Sequence, residues 1–122
     1  MVVIDEAFDC WANGKSPMDY GRFYKMNWQS DLRSMIERDR NHPSIIMWSM
    51  CNEEGLQSTD EGARIFSAMK DVVHRYDTTR PITCAMTGGW GTGIHNGEDL
   101  QGFNYSPGEA VGFTTALTFC SA

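Results

Sequence analysis

Short apolar runs of strand length alternate with two stretches of helical periodicity along this chain, which predicts an α/β fold on a parallel sheet. Three observations carry the prediction. The runs at 2–4 (Val-Val-Ile), 45–48 (Ile-Ile-Met-Trp) and 82–86 (Ile-Thr-Cys-Ala-Met) are almost unbroken, as strands covered on both faces require. Between them lie amphipathic segments long enough to cross back over a sheet. Polar and acidic side chains gather where the strands end: Asp5 and Glu6, Asn52 and Glu53, Asn104 and Tyr105. Chemistry in parallel α/β sheets sits at that edge.

Taken in order, the first strand runs into Asp5 and Glu6. Residues 8–20 contain Asn13-Gly14 and Pro17 and read as a loop. From 21 to 40, Tyr24, Trp28, Leu32, Met35 and Ile36 recur on one helical face, with Lys25, Asp31, Arg33 and Glu37 on others. Asn41-His42-Pro43 ends this helix, because the residue before proline is forced out of helical geometry. After the second strand, Ser58 and Glu61 have capping-box spacing. Ile65, Phe66, Met69, Val72, Val73 and Tyr76 then mark a second helix, and Arg80-Pro81 separates it from the third strand. A glycine-rich loop fills 87–97, and residues 100–105 read as a fourth strand closed by Ser106-Pro107-Gly108.

The chain has 122 residues, the size of one domain, and a net charge of −6. An acidic chain without a basic patch argues against nucleic acid as a partner. No apolar run approaches the roughly 18 residues of a membrane span, so no membrane partner is expected either. The N-terminus shows no secretion signal, which favours the cytoplasm without fixing the compartment. Cys10, Cys51, Cys84 and Cys120 are widely spaced, form no C-x-x-C and read as buried free thiols. With no H-E-x-x-H among the three histidines, a zinc site is not expected. Gly88-Gly89 and Gly91-Thr92-Gly93 complete neither nucleotide-binding glycine pattern, since Ile94 and Asn96 stand where glycine is needed.

Residues 39–53, Asp-Arg-Asn-His-Pro-Ser-Ile-Ile-Met-Trp-Ser-Met-Cys-Asn-Glu, resemble the acid/base signature of glycoside hydrolase family 2. That family includes β-galactosidases, β-glucuronidases and β-mannosidases. Residues 2–9 resemble the strand before the signature in β-galactosidase-like members, and residues 80–105 the two strands after it. The resemblance implies part of a (β/α)8 barrel, about four parallel strands (the third to the sixth) with covering helices. It implies a partial barrel domain over residues 1–105 and a divergent tail over 106–122. The implied reaction is retaining hydrolysis of terminal β-galactosides, with a carbohydrate substrate and no cofactor. By resemblance Glu53 is the general acid/base, and Asn52 binds the sugar 2-hydroxyl. Tyr105 resembles the tyrosine that holds the nucleophilic carboxylate, and Asp5 and Glu6 match an acidic pair that shapes the pocket.

The departures are equally specific. A retaining enzyme needs a second carboxylate about 5–5.5 Å from the first. In this family it comes from the seventh strand, and residues 108–122 hold no strand ending in a matching glutamate, which looks like a truncation. Cys51 stands where the family usually has glycine, at a cost in backbone freedom. The 8–15 loop lacks the glutamate and histidine that bind magnesium in some β-galactosidases, so no metal is expected. Four strands without closure leave unpaired edges, which predicts marginal folding and self-association through them. The competing reading is an inactive half-barrel remnant that binds sugar or pairs with another chain. A piece of a β-glucuronidase or β-mannosidase is the third.

Plainer roles are open to several residues. Glu54 falls outside the Asn-Glu register and reads as a surface residue, and His42 is read equally as structural or ligand-binding. Trp28 and Trp48 read as core; Trp11 and Trp90 either stack on sugar or cover the core. Asn104-Tyr105-Ser106 fits a glycosylation sequon, discounted because no secretion signal is visible.

Overall fold

The computed structural model describes residues 1–105, residue 108 and the backbone of residues 116–119. Strands β1 (Val3–Glu6), β2 (Ile45–Asn52) and β3 (Ile82–Ala85) form a parallel sheet in that order. Helix α1 (Gly21–Asp39) connects β1 to β2, and α2 (Asp60–His74) connects β2 to β3. Strand β4 (Gln101–Asn104) runs beside β3, tied by Asp99 N–H to the Ile82 carbonyl (2.9 Å) and Asn104 N–H to the Met86 carbonyl (2.7 Å). A fifth strand, β5 (Ala116–Phe119), pairs in parallel with β4. The sequence pattern predicts only four strands, because residues 108–122 lack a continuous apolar run of the earlier kind. Cys120, one of the four cysteines, lies outside the described residues, as do Ser106 and Pro107 of the sequon and turn.

The helices bury the stripes their periodicity demands. Tyr24, Leu32, Met35 and Ile36 of α1 and Phe66, Met69, Val72 and Val73 of α2 meet Trp48, Met50, Ile82, Cys84 and Met86 of the sheet side in one core. Each fully buried side chain of this kind contributes about 1.5–3 kcal/mol. The cap of α2 differs from expectation by one residue. Thr59, in extended conformation, accepts the Gly62 N–H at 3.0 Å, while Ser58 lies outside the helix. Cys10, Cys51 and Cys84 are buried and free.

An irregularity in β2 matters for the active edge. Ser49 pairs with Thr83 but Asn52 with Ala85, so β2 carries one more residue than β3 over that interval. The extra residue lets both Met50 and Cys51 enter the core and re-aims Asn52 and Glu53, the usual effect of a bulge. Cys51 itself keeps strand geometry, so this backbone does not call on glycine's freedom there.

The glycine-rich loop also has a packing explanation. Gly93 has φ of 52°, and a Cβ there would stand 2.2 Å from the Gln57 carbonyl oxygen. Glycine lets this loop press against the β2–α2 connection, where Ile94 N–H donates to that same carbonyl (2.9 Å).

Candidate active site

The C-terminal ends of β2 and β4 bring together the residues best suited to chemistry. Asn104, buried at the end of β4, donates from Nδ2 to Glu53 Oε1 at 2.8 Å and to Asn52 Oδ1 at 3.1 Å. Asn52 in turn donates from Nδ2 to Asp9 Oδ1 at 3.1 Å. Lys15 donates from Nζ to the same Asp9 oxygen at 3.0 Å and to the Asn52 carbonyl. A connected network therefore links Lys15 to Glu53: Lys15 and Asn52 donate to Asp9, and Asn104 donates to both Asn52 and Glu53. Glu53 is half-buried, and its N–H donates to the Ala85 carbonyl at 2.7 Å, which anchors it across to β3.

Backbone strain marks the same edge. Glu53 (φ 52°) and Tyr105 (φ 59°) are the non-glycine residues with positive φ among the described residues, and each directly follows a strand of the edge. Such conformations cost about 1–3 kcal/mol each and persist where the surroundings impose them. Here β2 and β4 fix the residue before each turn. Tyr105 is 63 % exposed and extends into solvent beyond Asn104.

Loop 8–20 is built to place Lys15 and Asp9. The Asp19 carboxylate accepts the N–H groups of Ser16 (2.6 Å), Lys15 and Gly21 (2.9 Å), which hold its carboxyl down to about 2. Trp11 staples the loop to the end of β2: its N–H donates to Glu54 Oε2 (2.6 Å) and its indole N–H to the Met50 carbonyl (3.2 Å). One alternative is decided and one expectation corrected here. Of the two roles open to Trp11, the structure gives the core one, since it is wholly buried, and Glu54, read as a surface residue, is only 2 % exposed. Glu54 is a buried acceptor because the loop's Trp11 N–H needs one.

The acidic pair on β1 splits across the sheet, since successive strand residues face opposite sides. Glu6 lies on the site side, where Ser49 donates its hydroxyl at 2.7 Å; burial, followed by the neighbouring Asp9 charge, raises its pKa against the opposing Ser49 bond. Asp5 meets Asp39 at the end of α1, and burial together with that second carboxyl raises it to about 6. Arg38 holds Asp39 low by hydrogen bonding. His42 lies exposed in the turn before β2, a full strand length from Asn52 and Glu53. Its structural role is through the main chain, with its carbonyl accepting from Arg80 at 3.3 Å. Trp90 packs tilted against Phe103 at 4.6 Å and edge-on against His95 at 5.6 Å, and Trp28, partly buried, stacks on Tyr24.

The sequence alone does not single out Asp9 and Lys15, and it marks Asn104 only as part of a strand end. No local pattern distinguishes the first two. The partner that gives them their place in the site, Asn52, is 43 and 37 residues away in sequence.

Residues 8–98 match the model of the glycosyl hydrolases family 2, TIM barrel domain. The chain belongs to glycosyl hydrolase family 2. A family 2 member from Bacteroides cellulosilyticus superposes with a TM-score of 0.86 at 36 % identity, over 99 % of this chain and 16 % of that one. A β-galactosidase of Bacteroides ovatus is 46 % identical over 66 residues, 54 % of this chain and 8 % of its own length. A β-glucuronidase of Paenibacillus borealis is 44 % identical over 52 residues, 43 % of this chain and 9 % of its own. The chain thus spans about a tenth of the length of the curated relatives it matches, and its strands and helices match part of the TIM barrel domain, with the sheet not closed among the described residues.

Proposed function

We propose that this chain carries the acid/base side of a retaining glycoside hydrolase acting on terminal β-galactosides. The observation that carries this is the Asn104 bond to Glu53 beside Asn52, at the strand edge where barrel chemistry sits. Glu53 donates its proton to the departing glycosidic oxygen, then takes one from water in the second step. Asn52 holds the sugar 2-hydroxyl, a bond that tightens in the oxocarbenium-like transition state. Tyr105 reaches toward the nucleophilic carboxylate, which residues outside this chain supply, and Glu6 shapes the pocket wall with Asp5 supporting it from behind. Residues 1–105 form the barrel part, and within the divergent segment 106–122 strand β5 continues it in parallel beside β4.

Charge supports a neutral sugar. Glu6, Asp9 and Glu53 face the edge, and the cation nearest them, Lys15, is already paired with Asp9. A uronate would meet excess negative charge there. Among the described residues β1 lies at an open edge of the sheet and carries the exposed Ile4, which supports self-association through that edge.

The test is NMR titration of the chain with galactonolactone and with glucarolactone, beside an aryl β-galactoside assay. Shifts at Asn52, Glu53 and Tyr105 with the galactose-configured lactone, and no turnover, are expected. Preference for the glucuronate-configured lactone overturns the sugar assignment. Turnover abolished by Glu53→Gln overturns the missing nucleophile.

A further inference from the structure

The amide of Asn52 has two nearly isosteric ends, and a sugar hydroxyl distinguishes them only if something fixes which end points where. The neighbours supply that fixing from both sides. Asp9 presents an acceptor to Nδ2 at 3.1 Å, and Asn104 presents a donor to Oδ1 at 3.1 Å. Turning the amide over would set its oxygen against the Asp9 carboxylate and its NH2 against the Asn104 NH2, leaving both bonds broken. Asn104 is fixed in the same sense, because Glu53 accepts from the same Nδ2.

We propose that Asp9, clamped by Lys15, is the positioning residue that sets the Asn52 amide for the sugar 2-hydroxyl. This rests on the reading of Asn52 given above. Lys15 serves two ends of one unit: it donates to Asp9 Oδ1 and to the main-chain carbonyl of Asn52 itself. Its own place is set by the loop, since Lys15 N–H donates to Asp19. Asp9 must be ionised to act purely as an acceptor, and the Lys15 and Asn52 hydrogen bonds lower its pKa against a small burial effect. The charged groups facing Asp9 are Lys15 on its own loop, Asp19 at the loop's far end and Glu6 on β1. The two carboxylates oppose Lys15 but do not outweigh it. Glu53 is then oriented at the far end of a chain that starts with a fixed positive charge.

Two measurements on the 122-residue chain separate this from its alternatives. In the first, the Asn52 side-chain NH2 signals are followed by NMR. We expect them to move with a pH midpoint below the ordinary aspartate range. That inflection should vanish in Asp9→Ala, and in Lys15→Met it should rise toward the ordinary aspartate value. Asp9→Asn, which keeps an acceptor, should restore the wild-type Asn52 signals without the inflection. Asn52 signals unchanged by Asp9→Ala would overturn the proposal. In the second, galactose and 2-deoxygalactose are titrated. Loss of one oriented hydrogen bond predicts that Asp9→Ala weakens galactose about 5–10-fold and leaves 2-deoxygalactose unchanged. Equal weakening of both sugars would mean that Asp9 touches the sugar directly, against the positioning role. If the unaltered chain binds both sugars alike, the reading of Asn52 fails, while the NMR signals still decide whether Asp9 sets its amide.

Discussion

The two ends of β2 each have a buried or half-buried carboxylate beside them, and they are organised to opposite purposes. At the N-terminal end, Asp77 accepts from the Trp48 indole (3.0 Å), from Arg80 Nη1 (2.6 Å) and from the Thr79 hydroxyl (2.6 Å) and N–H (2.8 Å). Burial pushes the Asp77 carboxyl up, but these bonds together prevail and hold it at about 2. Arg80 goes on to the Ile45 carbonyl at 2.7 Å and lies over the Trp48 ring at 5.5 Å. At the C-terminal end, Glu53 has one side-chain donor among the described residues, Asn104, and the rest of its carboxylate is available to solvent or a ligand. Its backbone is held at positive φ while the Asp77 knot has no such strain. A saturated cluster holds the fold together, whereas one with spare hydrogen-bonding capacity under strain is fit to receive a substrate.

The sharpest way to break this comparison is at Asp77. Asp77→Ala leaves the Trp48 N–H without its partner and Arg80 without its counter-charge, in a place where both are covered. Removing one member of a buried pair costs about 3–5 kcal/mol. Chemical denaturation should show a loss of that size. A loss under about 1 kcal/mol, the worth of an ordinary exposed pair, would mean the Asp77 cluster is not the structural one.

A middle-sized effect comes from Glu98, which lies between the two regions in character. It is buried, takes the Cys84 N–H at 2.5 Å and joins β3 to the segment leading into β4. Burial raises it to about 8 despite the opposing bonds from Cys84, Gly102 and Thr83. A carboxyl raised in the folded state binds its proton more tightly there than in the unfolded chain. Its stabilising contribution is full below the ordinary value of 4.5 and drains away as pH rises toward 8. Below pH 6.5 the trend is mixed. Burial lowers His95, which costs stability as pH falls below 6.5, while Asp5, raised to about 6, acts in the same direction as Glu98. Between about pH 6.5 and 8 Glu98 acts without them. Melting should show stability falling by about 1 kcal/mol across that window, and Glu98→Gln should flatten it. A flat wild-type profile would refute the assignment.

The legibility of the sequence divides along the same line. The helices and strands declare themselves because burial imposes periodicity: Tyr24, Leu32 and Ile36 mark α1, and the Ile-Ile-Met-Trp run marks β2. Asn52 and Glu53 stand out through a long contiguous motif. Asp9 and Lys15 do not, because their roles exist only after β1 and β2 pair. Glu54 is misread as a surface residue for a related reason. A charged residue in a loop defaults to the surface unless its partner is known, and Trp11 lies 43 residues away. Thr59 displaces Ser58 as the cap because the choice between adjacent hydroxyls depends on which residue is extended where the helix begins.

The smallest effect is the one that separates the two ends most cleanly. Glu53→Gln keeps an oxygen that can accept from Asn104 Nδ2 at the same 2.8 Å, and the backbone bond to Ala85 does not involve the side chain at all. The site side chain is half-buried, so no desolvated counter-charge is stranded by the change. Stability should therefore stay within about 0.5 kcal/mol of wild type, the range of substitutions that break no cluster. The positive φ is unaffected too, since glutamine gains no more from that geometry than glutamate. If Glu53→Gln instead costs as much as Asp77→Ala, then Glu53 is a second structural knot, and the contrast between a saturated end and a receptive end of β2 collapses. If it costs nothing while galactonolactone no longer shifts the Asn52 signal, the carboxylate is held at that edge for a ligand and not for the fold.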